Sequence, residues 1–399
     1  MGPDGFALHQ FVWLSDECLG VLARLIAASE AAGILPPQLD FVAMSFIPKQ
    51  RGGYRTIGIF PAVLRIWTKS HRSLCSAWEE KNARAFFGAA AGKQVLDPVW
   101  RWAAQEEGQT ETGVQVAAAL VDVSAFFESL DDNVLMEEAA ALGFPKTLVR
   151  LAIATYSAQR FVRLGPYVAE PRYATRGIIA GCGLATTLVK LYLLRRMDVF
   201  IVRHPCVSVN VFIDDISLAA TSNARGAVEA VAAATIEMEL ILKDVGCKLA
   251  SSKTQVLATT ASMRGKLKRI LKLCDDQVAE AAIFLGADFA PRSARRKWIS
   301  KSTLRQRLAK ISRRAKRFRC LRKAAGPRAR LVASAGLAPQ GCYGAEVTGF
   351  SNGELRSAKR SLAAGSGPQA GGRSLSLCSV AAGRRRHVAS GGGPYYPMG

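Results

Sequence analysis

The alternation of apolar and polar positions divides the chain into an irregular N-terminal part and a regular middle part. In residues 1–115 it predicts an apolar helix at 18–32 and a Gly-rich turn at Gly52-Gly53. Residues 116–260 are more regular, because an apolar run at 116–123 predicts a buried strand and apolar spacings of three and four predict helices. The predicted helices cover 135–142, 146–159, 183–202 and 224–245.

Segment 207–220 predicts two strands that fold back at two adjacent acidic residues. Asp214 and Asp215 stand in the middle of the apolar run VNVFIDDISL, and no basic residue lies within several positions of them. An unpaired buried charge is costly. The pair therefore either forms the polar tip of a tight turn or holds a cation.

The composition changes again in the last quarter of the chain. Residues 291–330 contain 17 Lys and Arg and no Asp or Glu. Apolar residues recur there at roughly helical spacing, which predicts basic amphipathic helices. Those residues are Trp298, Leu304, Leu308, Ile311, Phe318 and Leu321. The Gly/Ser-rich segment 365–399 is predicted to be a disordered tail.

The overall charge narrows the class of partner. The chain has 399 residues, of which 49% are hydrophobic, and 54 Lys and Arg against 31 Asp and Glu give a net charge of +23. This excess indicates a polyanionic partner, most simply nucleic acid, with a membrane surface as the alternative. We expect no membrane span, because the longest apolar segment, 177–194, contains Lys190 and is typical of a buried helix.

Cysteine and histidine usage argues against metal clusters of the zinc type and against a disulfide framework. The nine cysteines are scattered and never form a CxxC pair, and there are four histidines. We interpret the cysteines as reduced thiols, mostly buried. The N-terminus lacks the pattern of a secretory signal. We therefore expect an intracellular protein, with the nucleus left open.

One phosphate-binding pattern can be set aside. Residues 88–94 resemble a P-loop, but one residue too few separates Gly88 from Gly92, and no Ser or Thr follows Lys93.

The order of the remaining motifs indicates a reaction. Asp122 ends the predicted strand in LVDVSAFFESL, the Gly-bounded segment RGIIAGCG opens the long helix at 183, the Asp214-Asp215 hairpin follows, and Lys253 lies beyond the next helix. Metal-dependent nucleotidyl transfer needs carboxylates from neighbouring strands that bridge two divalent cations about 4 Å apart. Magnesium prefers hard oxygen ligands, so aspartates suit it.

The same motifs resemble the reverse transcriptases of non-LTR retrotransposons and group II introns, over roughly residues 44–290. The resemblance implies an α+β right-hand polymerase. Its fingers would occupy 1–115, its palm, with an antiparallel sheet and helices, 116–290, and its basic helical thumb 291–364. It also implies RNA-directed DNA polymerase activity on an RNA template, with a DNA or RNA primer, dNTPs and two Mg²⁺ ions that Mn²⁺ can replace.

The resemblance assigns the acidic residues and two neighbours. Asp122, Asp214 and Asp215 would bind the metal ions and carry catalysis, together with the backbone carbonyl of Val123. Lys253, in GCKLASSKT, would protonate the leaving pyrophosphate.

Four further residues would contact the incoming nucleotide. Phe127 would be a steric gate whose ring excludes a ribose 2′-hydroxyl, unless it is a core residue beside Phe126. In IPKQRGGYRTI, Lys49 and Arg55 would hold the triphosphate. Gly181 belongs to the motif under the template and primer.

Several departures leave an alternative open. Ala180 stands where the family usually has Gln, and Thr56 stands where it usually has Pro. No endonuclease, RNase H or zinc-knuckle segment is recognisable. The alternative is therefore a decayed retroelement relic that binds nucleic acid without catalysis. An RNA-dependent RNA polymerase is disfavoured, because Phe127 replaces its usual second Asp and Leu191 its usual Asn. The sequence leaves the oligomeric state open.

Overall fold

A computed structural model describes residues 2–49, 52–90, 92–110, 114–164, 167–250, 253–291, 302–366 and 374. Some predicted positions lie outside the described residues. They are Gln50, Arg51, Ser251, Ser252, Trp298 and the tail beyond 366 apart from Ser374.

The chain forms two compact units that do not follow a single cut in the sequence. Unit 1 contains Met1–Val95, Val116–Val256 and Ser262–Val278, and unit 2 contains Leu96–Gln115, Leu257–Ala261 and Ala279–Gly399. The segment 96–115 thus belongs to the unit that holds the C-terminal helices. The boundaries of fingers, palm, thumb and tail stay predictions.

Helices and strands alternate along most of the chain. The helices are α1 (Asp16–Ala32), α2 (Ala62–Ser70), α3 (Arg72–Lys81), α4 (Asp97–Thr110), α5 (Phe126–Ser129), α6 (Asp132–Ala141), α7 (Lys146–Ser157), α8 (Ala185–Arg203), α9 (Ala224–Asp244), α10 (Ala261–Leu271), α11 (Ser302–Ala325), α12 (Ala329–Val332), α13 (Ala338–Cys342), α14 (Ala345–Thr348) and α15 (Asn352–Ser366). The strands are β1 (Phe41–Pro48), β2 (Tyr54–Ile59), β3 (Gln115–Ser124), β4 (Gln159–Leu164), β5 (Tyr167–Val168), β6 (Val207–Phe212), β7 (Asp215–Ser222), β8 (Lys248–Leu249), β9 (Gln255–Ala258), β10 (Val278–Ala279), β11 (Ala282–Phe284) and β12 (Ala287–Phe289).

A four-stranded sheet with the order β2-β1-β4-β5 carries most of the IPKQRGGYRTI motif. β1 and β2 are antiparallel, and Arg55 pairs with Ile47. The predicted turn at Gly52-Gly53 joins these strands, and both glycines have positive φ angles of 89° and 75°. Glycine adopts this conformation without a steric penalty, so the turn is short and Arg55 lies close behind it on β2.

The second sheet has the order β10-β9-β3-β7-β6, and β8 pairs with β3. β3 is almost continuously apolar and most of its residues are buried, as expected for a central strand. β6 and β7 form an antiparallel hairpin in which Phe212 pairs with Asp215. The predicted strands are confirmed. Since β3 and β7 are neighbours, the sheet places the strand of Asp122 beside the Asp214-Asp215 hairpin.

Helix α8 forms the buried centre of unit 1. It is apolar on nearly all sides, and its one strongly buried charge, Lys190, is only 7% exposed. The Lys190 ammonium donates to the Glu79 carboxylate, and Thr187 Oγ1 donates to Glu79 Oε1 at 2.5 Å. Pairing lowers the cost of burying this charge. Because most residues of α8 are buried, the prediction of a buried helix is confirmed. Within the described ranges, no helix is long and apolar enough to cross a membrane.

Unit 2 contains the predicted basic helix. In α11 the predicted apolar positions Leu304, Leu308 and Ile311 are buried and pack with Leu337 and Ala358. The predicted contribution of Leu321 to this apolar face is wrong, because its side chain is 41% exposed near the end of the helix.

The start of α11 is capped by the strand before it. The buried carboxylate of Asp288, on β12, accepts a hydrogen bond from Thr303 Oγ1 at 2.6 Å and from the backbone N of Thr303 at 3.2 Å. A carboxylate at a helix N-terminus satisfies backbone donors that have no partner within the helix. Asp288 therefore links the β11–β12 hairpin to the basic helix.

The cysteines correct one expectation. The eight described cysteines are free thiols, in agreement with the prediction of reduced residues, but only Cys75 and Cys247 are buried. The prediction that most of them are buried is wrong. The four exposed cysteines lie on surface helices and loops, where the apolar character of the thiol does not decide its position. They are Cys18, Cys206, Cys274 and Cys320.

Candidate active site

The tip of the β6–β7 hairpin is a two-residue turn formed by Ile213 and Asp214. Ile213 has a φ of 61°. A β-branched residue in the left-handed region is strained by about 1–3 kcal/mol and persists where the surrounding structure imposes it. Asp214 thus lies in the turn and Asp215 begins β7. The first reading of the acidic pair, the polar tip of a tight turn, is confirmed.

The three aspartates act on one another electrostatically. The pKa of the Asp214 carboxyl is raised, mainly because protein atoms exclude water, and the negative charge of Asp122 adds to the shift. The pKa of Asp215 is raised to about 6, again mainly by loss of water, followed by repulsion from Asp214 and Asp122. Nearby like charges disfavour ionisation. The carboxylates therefore share one region in which additional positive charge would be stabilising.

Lys253 lies against Asp122. Its Nζ is 2.6 Å from Asp122 Oδ2. The backbone explains this position: the N–H of Ala250 donates to the carbonyl of Asp122 at 2.8 Å, and the N–H of Lys253 donates to the carbonyl of Ala250 at 2.8 Å. The turn after β8 is thus attached to β3 at the aspartate itself. The structure brings these two predicted residues together although 131 positions separate them.

The carboxylate side chains of the candidate site are of the chemical kind that binds a divalent cation. Within the part of the chain that the structure describes, no group of three or more His, Cys, Asp or Glu side chains is arranged to hold a metal ion. The Lys253 ammonium instead bonds to the Asp122 carboxylate. The candidate ligands are carboxylate oxygens, which Mg²⁺ prefers, and repulsion between them adds to the loss of water that raises the pKa of Asp214 and Asp215. The Val123 carbonyl as a ligand stays a prediction.

Arg55 is the second cation near the aspartates. Its side chain is exposed on β2, and its positive charge lowers the pKa of both Asp214 and Asp215 against the larger upward effects. Lys49 lies at the end of β1, where its backbone N donates to the Gly53 carbonyl at 3.0 Å and its side chain is exposed. Its role at the triphosphate stays a prediction.

The Gly-rich segment docks directly on β2. Gly181 has a φ of 107°, and a Cβ there would lie 2.7 Å from the carbonyl oxygen of Gly58. The N–H of Gly58 donates to the carbonyl of Ala180 at 2.8 Å. Close backbone approach explains the glycine. It also shows that position 180 contributes its backbone to the docking, so the replacement of the usual Gln by Ala leaves this contact in place.

Phe126 and Phe127 have different surroundings. Phe126 is buried, whereas Phe127 is partly exposed, and their ring centroids are 6.0 Å apart. The carbonyl of Phe127 accepts a hydrogen bond from the N–H of Ile178 at 2.8 Å. The Gly-rich segment thus holds the backbone of Phe127, and Phe126 is the residue that fills the core.

Glu128 is a residue that sequence reasoning missed. Its Oε1 accepts a hydrogen bond from Thr56 Oγ1 at 3.4 Å, which connects α5 to β2. A Cβ on Gly177 would approach its backbone to 2.7 Å. The only signal in the sequence is its position beside Phe127, because both partners are distant along the chain.

The residues of the P-loop-like pattern make structural contacts. Lys93 Nζ donates to the carbonyl of Phe87 at 2.7 Å, and a Cβ on Gly88 would lie 2.6 Å from Asn210 Oδ1. This segment packs along β6 and its lysine binds backbone carbonyls of its own turn.

The site combines carboxylates from two adjacent strands of an antiparallel-rich sheet with a lysine and an arginine beside them. This arrangement is typical of the palm of a polymerase. The family model of "Reverse transcriptase (RNA-dependent DNA polymerase)" matches residues 47–289, more than half of the chain, and the chain belongs to this family. The family is one of nucleotidyltransferases, and the expected fold class, an α+β right-hand polymerase, is confirmed.

Solved structures give weaker likenesses. Apo telomerase from Candida tropicalis, truncated from its C-terminal domain, is 12% identical with a TM-score of 0.46, over 72% of this chain and 61% of that chain. Telomerase from Candida albicans with the TWJ fragment of telomeric RNA is 10% identical with a TM-score of 0.46, over 84% and 66%. This chain therefore spans less than two thirds of the length of these two structures. The corresponding Candida tropicalis complex is 11% identical with a TM-score of 0.48, over 91% and 67%. These values transfer no property of telomerase to this chain. A search of curated proteins finds no match.

Proposed function

We propose that this protein is an RNA-directed DNA polymerase that extends a primer 3′-hydroxyl with dNTPs by two-metal nucleotidyl transfer. The observation that carries the proposal is the convergence of Asp122, Asp214 and Asp215 with Lys253 and Arg55 within the segment that matches the family. A site that combines carboxylates with cationic side chains suits a reaction in which metal ions promote attack on a triphosphate.

In this proposal the aspartates hold two Mg²⁺ ions, or Mn²⁺ in their place, with the Val123 carbonyl as a further ligand. When bound, such ions lower the pKa of an attacking hydroxyl and stabilise the charge on a leaving phosphate oxygen. Lys253 carries a proton 2.6 Å from an Asp122 oxygen. It is therefore placed to donate that proton to the leaving pyrophosphate.

The nucleotide would be held by the surface between β2 and α5. Arg55 supplies charge near the aspartates and can form bidentate contacts with phosphate. Lys49, close to the same turn, supplies a second positive charge. Gly181 keeps the Gly-rich segment on β2. Phe127 is held by its backbone and partly exposed, which suits a ring that excludes the 2′-hydroxyl of a ribonucleotide.

The partners in this proposal are an RNA template and a DNA or RNA primer. Helix α11 supports it, because Ser302–Ala325 contains ten Lys and Arg and no acidic residue. Such a helix can follow a phosphate backbone without reading its sequence. This is the role expected of a thumb.

Primer extension on an RNA template tests the proposal. We expect the parent to extend the primer with Mg²⁺ or Mn²⁺, and Asp122→Asn and Asp214→Asn to lose at least about 10²–10³-fold in rate, since each removes a ligand charge worth several kcal/mol at the transition state. Asp275→Asn is the matched control, because this carboxylate is 95% exposed on the surface. It should extend at the parent rate.

Two outcomes would count against the proposal. Extension by Asp214→Asn at the parent rate would remove the aspartates from the chemistry. Tight, salt-sensitive RNA binding by the parent without extension in either metal would favour the alternative of a catalytically decayed relic.

We also infer an origin in a retroelement of the non-LTR or group II intron type, because the motifs from IPKQRGGYRTI to GCKLASSKT follow one another in the order found in that group. Sequencing of the flanking genomic region tests this inference. An adjacent endonuclease reading frame or intron RNA structure is expected, and a single-copy locus without either would contradict it.

A further inference from the structure

Three elements of unit 1 are connected in a ring: α5, the Gly-rich segment and β2. The N–H of Ile178 donates to the carbonyl of Phe127 at 2.8 Å, which joins the segment to α5. The N–H of Gly58 donates to the carbonyl of Ala180 at 2.8 Å, which joins the segment to β2. Two of the three pairs of elements are thus joined by backbone hydrogen bonds.

A side-chain hydrogen bond closes the ring between α5 and β2. Thr56 Oγ1, on β2, donates to Glu128 Oε1, on α5, at 3.4 Å. No other hydrogen bond joins α5 to β2 within the described part of the chain. The backbone of Glu128 is itself closely packed, because a Cβ on Gly177 would approach it to 2.7 Å. The distance between α5 and β2 therefore depends on this pair of side chains.

Glu128 also acts on a second strand of the same sheet. Arg160, on β4, and Thr56, on β2, lie on one face of the sheet, because their partners on β1 are four residues apart. Burial lowers the pKa of Arg160, and the negative charge of Glu128 opposes that shift. The Glu128 carboxylate thus interacts with side chains on β2 and on β4.

We propose that Thr56 and Glu128 position the two side chains that hold the incoming nucleotide, an inference that rests on the proposed function. Thr56 directly follows Arg55, the proposed triphosphate ligand. Glu128 directly follows Phe127, the proposed gate. The hydrogen bond between Thr56 and Glu128 therefore sets how far apart the two nucleotide contacts lie. Both are positioning residues, since each acts through its neighbour.

The pair is a feature of this chain. Thr56 stands where the family usually has Pro, and proline has no side-chain donor. Threonine suits a strand as a β-branched residue, and its hydroxyl reaches Glu128. The departure from the family pattern thus supplies the contact between β2 and α5.

Single-nucleotide incorporation by the full chain tests the proposal, with kcat and the KM for dNTP measured separately. Thr56→Val keeps the shape of the side chain and removes the hydroxyl. We expect the KM to rise about 3–10-fold while kcat changes by less than about 2-fold, because a hydrogen bond that orients nucleotide-binding residues is lost. Thr56→Ser keeps a hydroxyl and should have a KM within about 2-fold of the parent value.

Thr147→Val is the matched control, because Thr147 is exposed on α7. It should match the parent in both constants. Equal melting curves verify that each variant is folded.

A double-mutant cycle tests whether the two residues form one contact. Glu128→Ala should raise the KM as Thr56→Val does, and the double variant should be no worse than either single variant. Glu128→Gln keeps an acceptor oxygen for the Thr56 hydroxyl and should stay close to the parent. A KM for Glu128→Gln as high as that for Glu128→Ala would overturn the hydrogen bond as the cause.

Three other results would overturn the proposal: an unchanged KM in Thr56→Val, a loss confined to kcat, or independent effects of the two substitutions. A parent that extends no primer overturns the polymerase activity and this positioning role together. A parent that extends a primer while Thr56→Val matches it overturns the positioning role alone.

Discussion

At the residue scale, the structure distinguishes two adjacent phenylalanines, for which the sequence left open whether Phe127 is a gate or a core residue. Phe126 is buried, and Phe127 is partly exposed, with its carbonyl bonded to the Gly-rich segment at Ile178. Backbone geometry separates them, because the turn at Ala125, with a φ of 45°, starts α5 and directs the two rings differently.

We predict that Phe127→Ala allows ribonucleotides to be incorporated. Removing the ring opens the space of a 2′-hydroxyl, so the ratio of dNTP to rNTP use should fall by about 10²-fold, equal to roughly 3 kcal/mol of discrimination. Steady-state incorporation of dNTP and rNTP by the purified protein measures it. Phe126→Ala is the control: it should lower the melting temperature through loss of a core ring and leave the sugar ratio unchanged. Unchanged discrimination in Phe127→Ala would contradict the role of a gate.

We predict that Asp132→Asn stabilises the protein at neutral pH. Loss of water at the start of α6, and then the charge of Asp131, raise the pKa of Asp132 from 3.8 to about 6. The folded state thus holds this proton more tightly than the unfolded chain, so the associated stability is present below about pH 4 and is lost as pH rises to about 6. Asn should therefore raise the melting temperature at pH 7.5 and change it little at pH 4.

Thermal unfolding of both proteins at the two pH values measures this effect. The opposite sign at pH 7.5 would mean that the attraction of the helix N-terminus for a negative charge outweighs the loss of water. Asp131→Asn is a useful comparison, because Asp131 caps the helix by accepting from Asn133 N at 2.8 Å.

At the element scale, the Gly-rich segment connects β2, the strand of Arg55, to α5, the helix of Phe127. Ala180, Gly181 and Gly58 meet through their backbones. Two elements that approach this closely tolerate no Cβ between them.

We predict that Gly181→Ala destabilises unit 1 by about 2–4 kcal/mol, because it adds a clash with the Gly58 carbonyl to the strain of a positive φ. Denaturant unfolding measures the loss. Gly265→Ala is the matched control, since a Cβ at Gly265 in α10 meets nothing within 4 Å. It should stabilise by roughly 0.5–1 kcal/mol. Equal unfolding midpoints for Gly181→Ala and the parent would contradict the docking.

At the scale of the whole molecule, the distribution of charge is uneven. The chain carries +23, and the ten basic residues of Ser302–Ala325 stand without a single acid. The three aspartates, in contrast, lie in unit 1, so the basic helix and the acidic cluster come from different parts of the sequence.

We predict that binding of an RNA–DNA duplex weakens steeply with salt. Replacing Arg313, Lys316 and Arg317, which are exposed on α11, with Gln should reduce the slope of log K against log salt by about 2–3, close to one per phosphate contact. Fluorescence anisotropy at several salt concentrations measures the slope. Replacing Arg225 and Lys243 on α9 with Gln is the control. A slope reduced equally by both sets would show that binding depends on net charge alone.

The sequence by itself determined the elements whose signal is local. The apolar run of β3, the fold-back at Asp214 and the long helices α8 and α9 were predicted to within a few residues, because period and turn chemistry act between near neighbours. The order of the motifs likewise indicated the family and the acidic residues of the candidate site.

Only the tertiary structure decided the contacts that join distant segments. The Lys253–Asp122 pair, the docking of Gly181 on Gly58 and the Thr56–Glu128 bond each depend on how strands and turns assemble. So does the membership of α4 in unit 2 and the exposure of half of the described cysteines. The physical reason is that burial and pairing are set by long-range packing, in which a residue's partners lie tens to hundreds of positions away and leave no periodic trace in the chain.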